Sequence, residues 1–298
     1  MKFGNIINKD FEDILGQEDV KKHLKSALLS DRNIILVGAP GIGKTTLAKN
    51  IAKVMPLLEG KKAPFVRVQG SPDLTAEDLI GDIDPIKALK FGPTSREAFT
   101  PGKIFQANKG LLFFDEINRC SDKLQNALLQ ALEEKKVTIG SYKVDFDADF
   151  VFIGTMNPED TSTEPLSDVF LDRFDLIYVG YPETLEIEKK IVLKSGKSIT
   201  DFPDKLLEGC LKFIRVLRKD DNVEKKPSVR ASLGLYERAQ THALLCKRKS
   251  VCVEDIQAVL VSVLSHRIRL KPSLKYLKKP EDYLEEGFET FCEKGGYL

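Results

Sequence analysis

The chain has 298 residues, of which 42% are hydrophobic and 31% are charged, and its formal net charge is +1. This balance is typical of a soluble globular protein, and the length suffices for one large domain or two modest ones. The small net charge provides no overall basic field for nucleic acid or membranes, although a local basic patch stays open. The longest apolar run, near residues 258–261, is far shorter than a membrane span, and the N-terminus lacks a signal-peptide core. We therefore expect a cytoplasmic protein with no membrane span.

Five cysteines are scattered along the chain, and three histidines show no spacing typical of metal ligands. An odd number of cysteines without a C-x-x-C pair indicates reduced thiols and neither a disulfide framework nor a zinc site. We expect the histidines to be surface or packed side chains. These residues are Cys120, Cys210, Cys246, Cys252, Cys292, His23, His242 and His266.

Short apolar segments alternate with helical patterns in the first part of the chain. The five predicted strands are residues 34–37, 65–68, 111–114, 150–153 and 176–179. Near-continuous apolar runs are expected where both faces of a sheet are buried. Helical patterns at 43–55 and 121–134 lie between them. The pattern predicts an α/β fold, a mostly parallel five-stranded sheet between helices in an αβα sandwich.

The pattern changes after Pro182, where helical segments follow and no further strand is convincing. We place a domain boundary here, with a core at residues 1–181 and a smaller all-helical domain at residues 182–298. Ser228 can cap one of these helices, and Pro280 suits the first turn of the last. The predicted helices are residues 185–193, 205–217, 229–246, 254–264 and 281–292.

A glycine-rich turn joins the first strand to the first helix and matches the pattern G-x-x-x-x-G-K-[ST]. Glycines allow backbone N–H groups to close around phosphate oxygens, and the helix N-terminus adds partial positive charge. Lys44 is expected to reach the β- and γ-phosphates, and Thr45 to ligate Mg²⁺. A turn that binds nothing is the alternative, which the strand and helix context disfavours. The predicted nucleotide-binding residues here are Gly38, Pro40, Gly41, Ile42, Gly43, Lys44, Thr45 and Thr46.

Two acids, Asp115 and Glu116, follow the third predicted strand. They are expected at the carboxyl edge of the sheet, where the ligands of parallel sheets bind. Asp115 would hold Mg²⁺ directly or through water, and Glu116 would orient and activate the attacking water. The alternative is a charged helix start before Ser121, and the pairing with the phosphate loop favours the catalytic interpretation.

Three further polar residues each allow two interpretations. Asn157 follows the fourth strand and can hydrogen-bond the γ-phosphate and the water, but Asn-Pro is also a common turn signal. Arg173 forms a surface ion pair, or it is an arginine finger offered to a neighbouring subunit. Arg230 is a solvated arginine at a helix start, or it couples nucleotide hydrolysis to motion of the second domain.

Taken in order, these motifs resemble those of the AAA+ ATPases over nearly the whole chain. Ile14-Leu15-Gly16-Gln17 resembles the segment that packs near the adenine in that family. Residues 38–45 match its Walker A motif and residues 111–116 its Walker B motif. Asn157 matches sensor 1, Arg173 the arginine finger and Arg230 sensor 2, and residues 182–298 would form its helical lid.

Finer features resemble the MoxR family and the ATPase subunit of magnesium chelatase, notably residues 99–110, 115–119 and 128–140. Both carry an insert in the second helix, expected here within residues 80–99. Both also carry a β-hairpin before sensor 1, expected around residues 137–144 with its turn at Gly140-Ser141. Residues 154–158 resemble the chelatase subunit more, and residues 228–231 read Ser-Val-Arg-Ala where MoxR proteins usually have Ser-Pro-Arg-Ala.

The resemblance implies an ATP hydrolase with ATP and Mg²⁺ as cofactors. Lys44, Thr45 and Asp115 would hold the phosphates and Mg²⁺, while Glu116 and Asn157 place the water. Arg173 would act in the next subunit, which implies a homo-oligomeric ring, expected as a hexamer, and Arg119 is a further candidate to face a neighbouring nucleotide. Arg230 would sense the nucleotide from the lid.

Four functions are compatible with this resemblance. The first is a chaperone-like ATPase that remodels, assembles or activates a partner complex, whose partner often carries a von Willebrand factor A-type domain. The second is the ATPase subunit of a metal chelatase. The third is a nucleic-acid motor, which the lack of an appended DNA-binding module disfavours although Lys135, Lys136 and Lys143 lie near the hairpin. The fourth, a module that does not hydrolyse ATP, disagrees with the intact Asp115-Glu116 pair.

Overall fold

The computed structural model describes residues 4–55, 57–58, 60–92, 95–139, 144–160 and 166–295. The chain forms two compact units. The first contains Met1–Ala39 and Gly43–Val179, and the second contains Pro40–Ile42 and Gly180–Leu298.

The first unit alternates strands and helices as the sequence predicts. Its strands are β1 (Asn33–Val37), β2 (Leu57–Leu58), β3 (Lys61–Lys62), β4 (Phe65–Gln69), β5 (Gly81–Ile83), β6 (Phe99–Pro101), β7 (Leu111–Asp115), β8 (Lys136–Ile139), β9 (Val144–Asp147), β10 (Val151–Met156) and β11 (Phe174–Tyr178). Its helices are α1 (Glu18–Leu29), α2 (Lys44–Val54), α3 (Ala76–Ile80), α4 (Pro85–Phe91), α5 (Lys103–Gln106), α6 (Asp122–Glu134) and α7 (Asp168–Leu171).

A five-stranded sheet in the order β11-β1-β10-β7-β4 is the centre of this unit, and all its pairings are parallel. The prediction of a mostly parallel five-stranded sheet is confirmed. Val37 is in register with Met156, and Gly154 is in register with Phe114. The carboxyl ends of β1, β10 and β7 therefore meet at one edge, where the ligands of such sheets bind.

The sheet is stable because its central strands are apolar on both faces. Four residues of β1 and four of β7 are buried, which explains their continuous apolar sequence. Phenylalanine rings also pack against one another across the sheet. The ring centroids of Phe114 on β7 and Phe152 on the neighbouring β10 are 6.2 Å apart, and those of Phe152 and Phe174, which lies two strands away on β11, are 5.3 Å apart. Such ring pairs add directional stabilisation to the burial of apolar area.

The two insertions expected from the resemblance coincide with small antiparallel pairs. Strand β5 pairs with β6, and helix α4 lies between them in the sequence. Asp84 caps α4, because its carboxylate accepts hydrogen bonds from the backbone of Ile86 and Lys87. Strands β8 and β9 pair with Ile139 opposite Val144. The predicted turn at Gly140-Ser141 lies outside the described residues.

The second unit consists mainly of helices. They are α8 (Leu185–Ser195), α9 (Asp204–Lys219), α10 (Val229–Leu245), α11 (Val253–Leu264), α12 (Pro272–Lys275) and α13 (Pro280–Glu293). Pro280 occupies the first turn of α13 as predicted. Ser228 stands at the N-cap of α10, but among the described residues its side chain makes no capping hydrogen bond.

The prediction that no strand follows Pro182 is wrong in one respect. Strands β12 (Val223–Lys225) and β13 (Arg269–Leu270) form an antiparallel pair beside the helices. They are three and two residues long and carry too little alternation to be recognised. Val223 and Leu270 point into the core of this unit, each 1% exposed.

Buried charge also holds the second unit together. Glu188 of α8 is fully buried and accepts hydrogen bonds from Arg218 Nη1 and Nη2, both at 2.7 Å, and from Ser232 Oγ at 2.6 Å. Burial opposes the ionised form, but the Arg218 hydrogen bonds and charge outweigh it and lower the pKa of Glu188. The carboxylate therefore joins α8, α9 and α10.

Among the described residues, no helix combines the length and apolar character needed to cross a membrane.

Candidate functional site

The glycine-rich loop connects β1 to α2, as the motif requires. Gly43 precedes α2 with φ +102°, a left-handed conformation that favours glycine, although a Cβ there would meet nothing within 4 Å. Conformation rather than space therefore requires glycine at this position. Thr45 and Thr46 lie in the first turn of α2, where free backbone N–H groups and the helix dipole attract anions.

Lys44 is held inside this loop by backbone oxygens. Its ammonium donates to Gly38 O at 2.5 Å and to Ala39 O at 2.9 Å. The Gly38 N–H in turn donates to Met156 O at 3.1 Å, which attaches the loop to the end of β10. The positive charge of Lys44 is thus fixed at the edge of the sheet where phosphates are expected.

Residues 40–42 belong to the second unit, together with the predicted lid arginine. A Cβ placed on Gly41, whose φ is +78°, would lie 2.8 Å from Ser228 Oγ and 2.9 Å from Arg230 Cγ. Arg230 itself is an exposed residue at the start of α10. Any larger residue at position 41 would therefore displace these two side chains.

A buried threonine ties the two acids together. Asp115 ends β7, and its Oδ1 accepts a hydrogen bond from Thr155 Oγ1 at 2.7 Å. The same hydroxyl oxygen accepts from the Glu116 backbone N–H at 2.9 Å. Thr155 is fully buried on β10. One hydroxyl thus fixes the Asp115 carboxylate and the backbone of Glu116 relative to the strand that leads to Asn157.

Edge strand β4 supplies a second set of contacts to these acids. Arg67 Nη2 donates to Asp115 Oδ2 at 2.7 Å, and Gln69 Nε2 donates to Glu116 Oε2 at 3.0 Å. Arg119 Nη1 lies 3.3 Å from the same Glu116 oxygen. Sequence analysis missed Arg67, Gln69 and Thr155. The sequence does contain a pattern that indicates Arg67 and Gln69, because polar residues two positions apart on a strand lie on the same face.

The chain turns sharply at Glu116, which has a left-handed conformation with φ 56°. Gly70 makes this turn possible, since a Cβ at position 70 would lie 2.1 Å from Glu116 O. The Gly70 N–H also donates to Asp115 O at 2.7 Å. A non-glycine φ in this region is uncommon, and Glu116 is one of six such residues among those that the structure describes.

Asn157 lies directly after β10, at the same edge of the sheet as Asp115 and Gly38. Its Oδ1 accepts from the Glu159 N–H at 3.2 Å, and its backbone oxygen lies 3.5 Å from Asn118 Nδ2. The side-chain amide of Asn157 therefore stabilises a turn, as the Asn-Pro signal indicates. The residue also lies at the carboxyl edge of the sheet, where the catalytic interpretation requires it. These two interpretations do not exclude each other.

Arg119 and Arg173, the two arginines predicted to face a neighbouring subunit, pair with acids of their own unit. Arg119 donates to Asp160 Oδ2 from Nε at 3.0 Å and from Nη2 at 2.7 Å, and these hydrogen bonds raise the pKa of Arg119. Arg173 donates to the Glu133 carboxylate and to Val169 O, contacts with α6 and α7 rather than with Asp115 or Glu116. Its side chain is 31% exposed.

The predicted cofactors fit the chemistry of these donors. Mg²⁺ prefers hard oxygen ligands, and the predicted ligands are the Thr45 hydroxyl and the Asp115 carboxylate. Each Asp115 oxygen accepts one hydrogen bond, from Thr155 or from Arg67, so each keeps a lone pair for a metal or its water. The fixed ammonium of Lys44 and the N-terminus of α2 suit an anionic polyphosphate.

His242 is a packed side chain, as expected, but it belongs to a cluster that the sequence did not indicate. His242 lies in the last turn of α10 and Cys246 is the residue after that helix, and their ligand atoms lie with that of Asp255 within 4.8 Å of one another. Asp255 is buried and accepts from His242 Nδ1 at 2.6 Å, from the Cys252 N–H at 3.0 Å, and from Arg248. Burial opposes its charge, but these hydrogen bonds outweigh it and lower the pKa of Asp255. The Arg248 cation occupies this carboxylate, so we interpret the cluster as a cap of α11.

Two family models match the chain. The model of the AAA domain (dynein-related subfamily) matches residues 33–174, and the model of the AAA lid domain matches residues 218–286. The first match covers the phosphate loop, the acid pair, Asn157 and Arg173, and the second covers Arg230.

Relatives match over most of the chain. The uncharacterized protein YeaC of Bacillus subtilis is 32% identical over 88% of this chain and 85% of its own length. Chaperone MoxR1 of Mycobacterium tuberculosis is 29% identical over 86% of this chain and 73% of its own. The magnesium-chelatase 38 kDa subunit of Chlorobaculum parvum is 25% identical over 88% of this chain and 92% of its own. The chain therefore belongs to the AAA+ ATPases, in the branch that contains MoxR chaperones and magnesium-chelatase subunits.

Proposed function

We propose that this protein is a MoxR-like ATPase that binds ATP with Mg²⁺ and uses hydrolysis to remodel, assemble or activate a partner complex. The observation that carries the proposal is the acid pair. Asp115 and Glu116 lie at the carboxyl edge of the sheet, tied by Thr155 to the strand that also holds the phosphate loop. Members of this family generally hydrolyse ATP, and one relative is named a chaperone.

In the proposed mechanism, Lys44 and the N–H groups at the start of α2 bind the phosphates. Thr45 and Asp115 would hold Mg²⁺, which neutralises phosphate charge when bound. Glu116 accepts a proton from the attacking water, and Asn157 helps to orient that water. Gln69 and Arg119 contact one oxygen of Glu116, Oε2, which restricts the rotation of the carboxylate. Restricting the base lowers the entropy that must be lost on reaching the transition state.

The proposal includes assembly into a homo-oligomeric ring, expected as a hexamer. Arg173 would stabilise transition-state charge in the next subunit, and Arg230 would respond to the nucleotide from the lid. The support is that Arg173 is partly exposed and contacts Glu133 rather than the acid pair of its own chain. The proposed partner is a protein complex, with a von Willebrand factor A-type domain as one candidate component.

The first experiment uses Glu116→Gln, which should bind ATP without hydrolysing it. The variant, held in its ATP state, is used to capture partners from native cell extract, and Lys44→Ala serves as the control that should bind or hydrolyse no ATP. ATP-dependent capture of a defined protein complex by Glu116→Gln alone supports the remodelling function. Full turnover in Glu116→Gln would show that another residue activates the water.

A chelatase-type role is the second candidate, because the likeness to the magnesium-chelatase subunit extends over most of both chains. Capture of a metal-inserting enzyme would favour it. A nucleic-acid motor is the third, and ATPase stimulation by DNA that is lost as salt rises would favour it. Of the lysines near the hairpin, Lys135 pairs with Asp149 at 3.4 Å, and Lys143 lies outside the described residues.

A further inference from the structure

Arg67 is an arginine that contacts both acids of the site, one directly and one through an amide. Strand β4 pairs with β7 so that Arg67 is opposite Phe113 and Gln69 is opposite Asp115. Arg67 Nη2 donates to Asp115 Oδ2 at 2.7 Å and to Gln69 Oε1 at 3.3 Å. The amide nitrogen of Gln69 donates to Glu116 Oε2 at 3.0 Å. Only this orientation of the amide serves both neighbours, because its oxygen accepts and its nitrogen donates.

The stability of the fold does not require this arginine. The Arg67 side chain is 49% exposed, and Asp115 is 14% exposed and already receives a hydrogen bond from Thr155. Ion pairs that reach solvent contribute little to stability. A comparable ion pair in the same unit joins Arg32 and Asp175 at 3.0 Å. It lies at the amino end of β1, away from the Asp115-Glu116 pair.

The position of Arg67 matters because its partner is the predicted magnesium ligand. Mg²⁺ binds oxygen at about 2.0–2.1 Å and demands near-ideal geometry. The Arg67 guanidinium lies 2.7 Å from Asp115 Oδ2, so a metal ion bound by this carboxylate would have a second cation close to it. Two cations so close repel each other, and each gains from the negative charge of Asp115.

We propose that Arg67 competes with Mg²⁺ for Asp115 and thereby sets the Mg²⁺ concentration at which the nucleotide site is loaded. The proposal rests on the proposed ATPase function. On loading, Mg²⁺ would share the Asp115 carboxylate, and the guanidinium would be free to turn outward into solvent, because its side chain is 49% exposed. Gln69 then loses the hydrogen bond from Arg67 and holds Glu116 alone.

The test is a Mg²⁺ titration of the binding of a fluorescent ADP analogue to the full chain. In Arg67→Gln, which removes the charge and keeps polarity, the half-saturating Mg²⁺ concentration should fall about three- to tenfold, as the loss of a partly exposed hydrogen bond of ordinary net strength predicts. Arg67→Lys keeps the charge and should therefore lower that concentration less than Arg67→Gln does. Arg32→Gln, the matched control, should leave the titration unchanged. Thermal melting of each variant checks folding.

Three outcomes overturn the proposal. These are an unchanged half-saturating Mg²⁺ concentration in Arg67→Gln, an increase in that concentration, or the same decrease in Arg67→Lys. Binding of the analogue in the presence of a chelator is measured in parallel. If wild type binds no analogue with or without Mg²⁺, the proposed function fails, whereas binding with an unaltered Mg²⁺ dependence in the variants refutes only the role of Arg67.

Discussion

The Thr155 hydroxyl contacts both acids of the site. Removing this one hydroxyl therefore tests whether it holds Asp115 and Glu116 in position for catalysis. Thr155→Val keeps the shape of the side chain but leaves Asp115 Oδ1 and the Glu116 N–H without this partner. Unpaired buried polar groups cost about 1–3 kcal/mol each. We expect kcat for ATP to fall about tenfold or more and the affinity for nucleotide to change less, because the phosphate loop is untouched. Steady-state kinetics and a nucleotide-binding titration measure the two effects.

Thr155→Ser is the matched control for that change, because it keeps the hydroxyl and removes only a methyl group. It should retain most of the turnover. Equal losses of turnover in the serine and valine variants would mean that packing, rather than the hydroxyl, matters at this position.

For single residues, sequence analysis identified candidate site residues that belong to compact motifs and missed those that do not. Lys44, Asp115 and Asn157 follow strands whose ends could be located, and the structure places them at one edge. Thr155 looks like an ordinary strand residue. Its role depends on the register between β10 and β7, which pairs residues distant in the sequence and which no local pattern encodes.

Among the helices, the contact with the sharpest consequence is the one between Glu188 and Arg218. The Arg218 side chain is only 7% exposed, so removing its partner leaves a buried charge uncompensated. Breaking a buried pair in this way costs about 3–5 kcal/mol. We expect Glu188→Ala to lower the free energy of unfolding of the second unit by that amount. Amide hydrogen exchange in α8, α9 and α10 measures it, and Lys190→Ala, an exposed site on α8, is the control.

The same residue makes the second unit sensitive to acid. The pKa of Glu188 is lowered in the folded state because the Arg218 hydrogen bonds and charge outweigh burial. Its stabilisation is therefore fully present above the unfolded value of about 4.3 and is lost as pH falls through the lower folded value. Exchange protection of α8 should decrease below about pH 4 in wild type. In Glu188→Gln the decrease should be weaker, and an identical decrease in both proteins would assign the acid sensitivity to other groups.

Element prediction succeeded where patterns were long and failed where they were short. The apolar runs of β1 and β7 and the helical spacing of α6 were sufficient to predict their type and to place their ends within a few residues. Strands β12 and β13 were missed because they pair with each other across a long separation and contain few residues. Sequence analysis did not indicate the cluster of His242, Cys246 and Asp255, because only the approach of α11 brings Asp255 to the other two.

For the whole molecule, the proposed ring can be tested by mixing two inactive variants. Arg173→Ala should lose activity because it lacks the finger, and Glu116→Gln because it lacks the base. In a mixed ring, some interfaces combine an intact Glu116 with an intact Arg173 of the neighbour. We therefore expect the mixture to recover part of the ATPase activity, in proportion to the fraction of such interfaces.

The mixing ratio provides the internal control. Recovery should be greatest near equal amounts and absent in either pure sample. No recovery at any ratio, with assembly of the mixture shown by light scattering, would contradict a finger supplied by a neighbouring subunit. Arg173 would then act through its contact with Glu133 in its own chain.

The sequence predicted the family of the chain, since motifs at matching spacing extend along most of it. It did not predict that residues 40–42 would group with the second unit. That grouping depends on side chains of α10 that approach Gly41, and such approaches follow from packing rather than from local sequence.

The strand order has a consequence for how the protein is made on the ribosome. Strand β1 leads into the phosphate loop, but both its neighbours, β10 and β11, are encoded much later in the chain. At synthesis rates of about 5–20 residues per second, β1 waits on the order of 10 s for its partners. During that interval the apolar run of β1 has unpaired edges and is a target for chaperones or for aggregation. The nucleotide site is thus one of the last parts of its unit to form during translation.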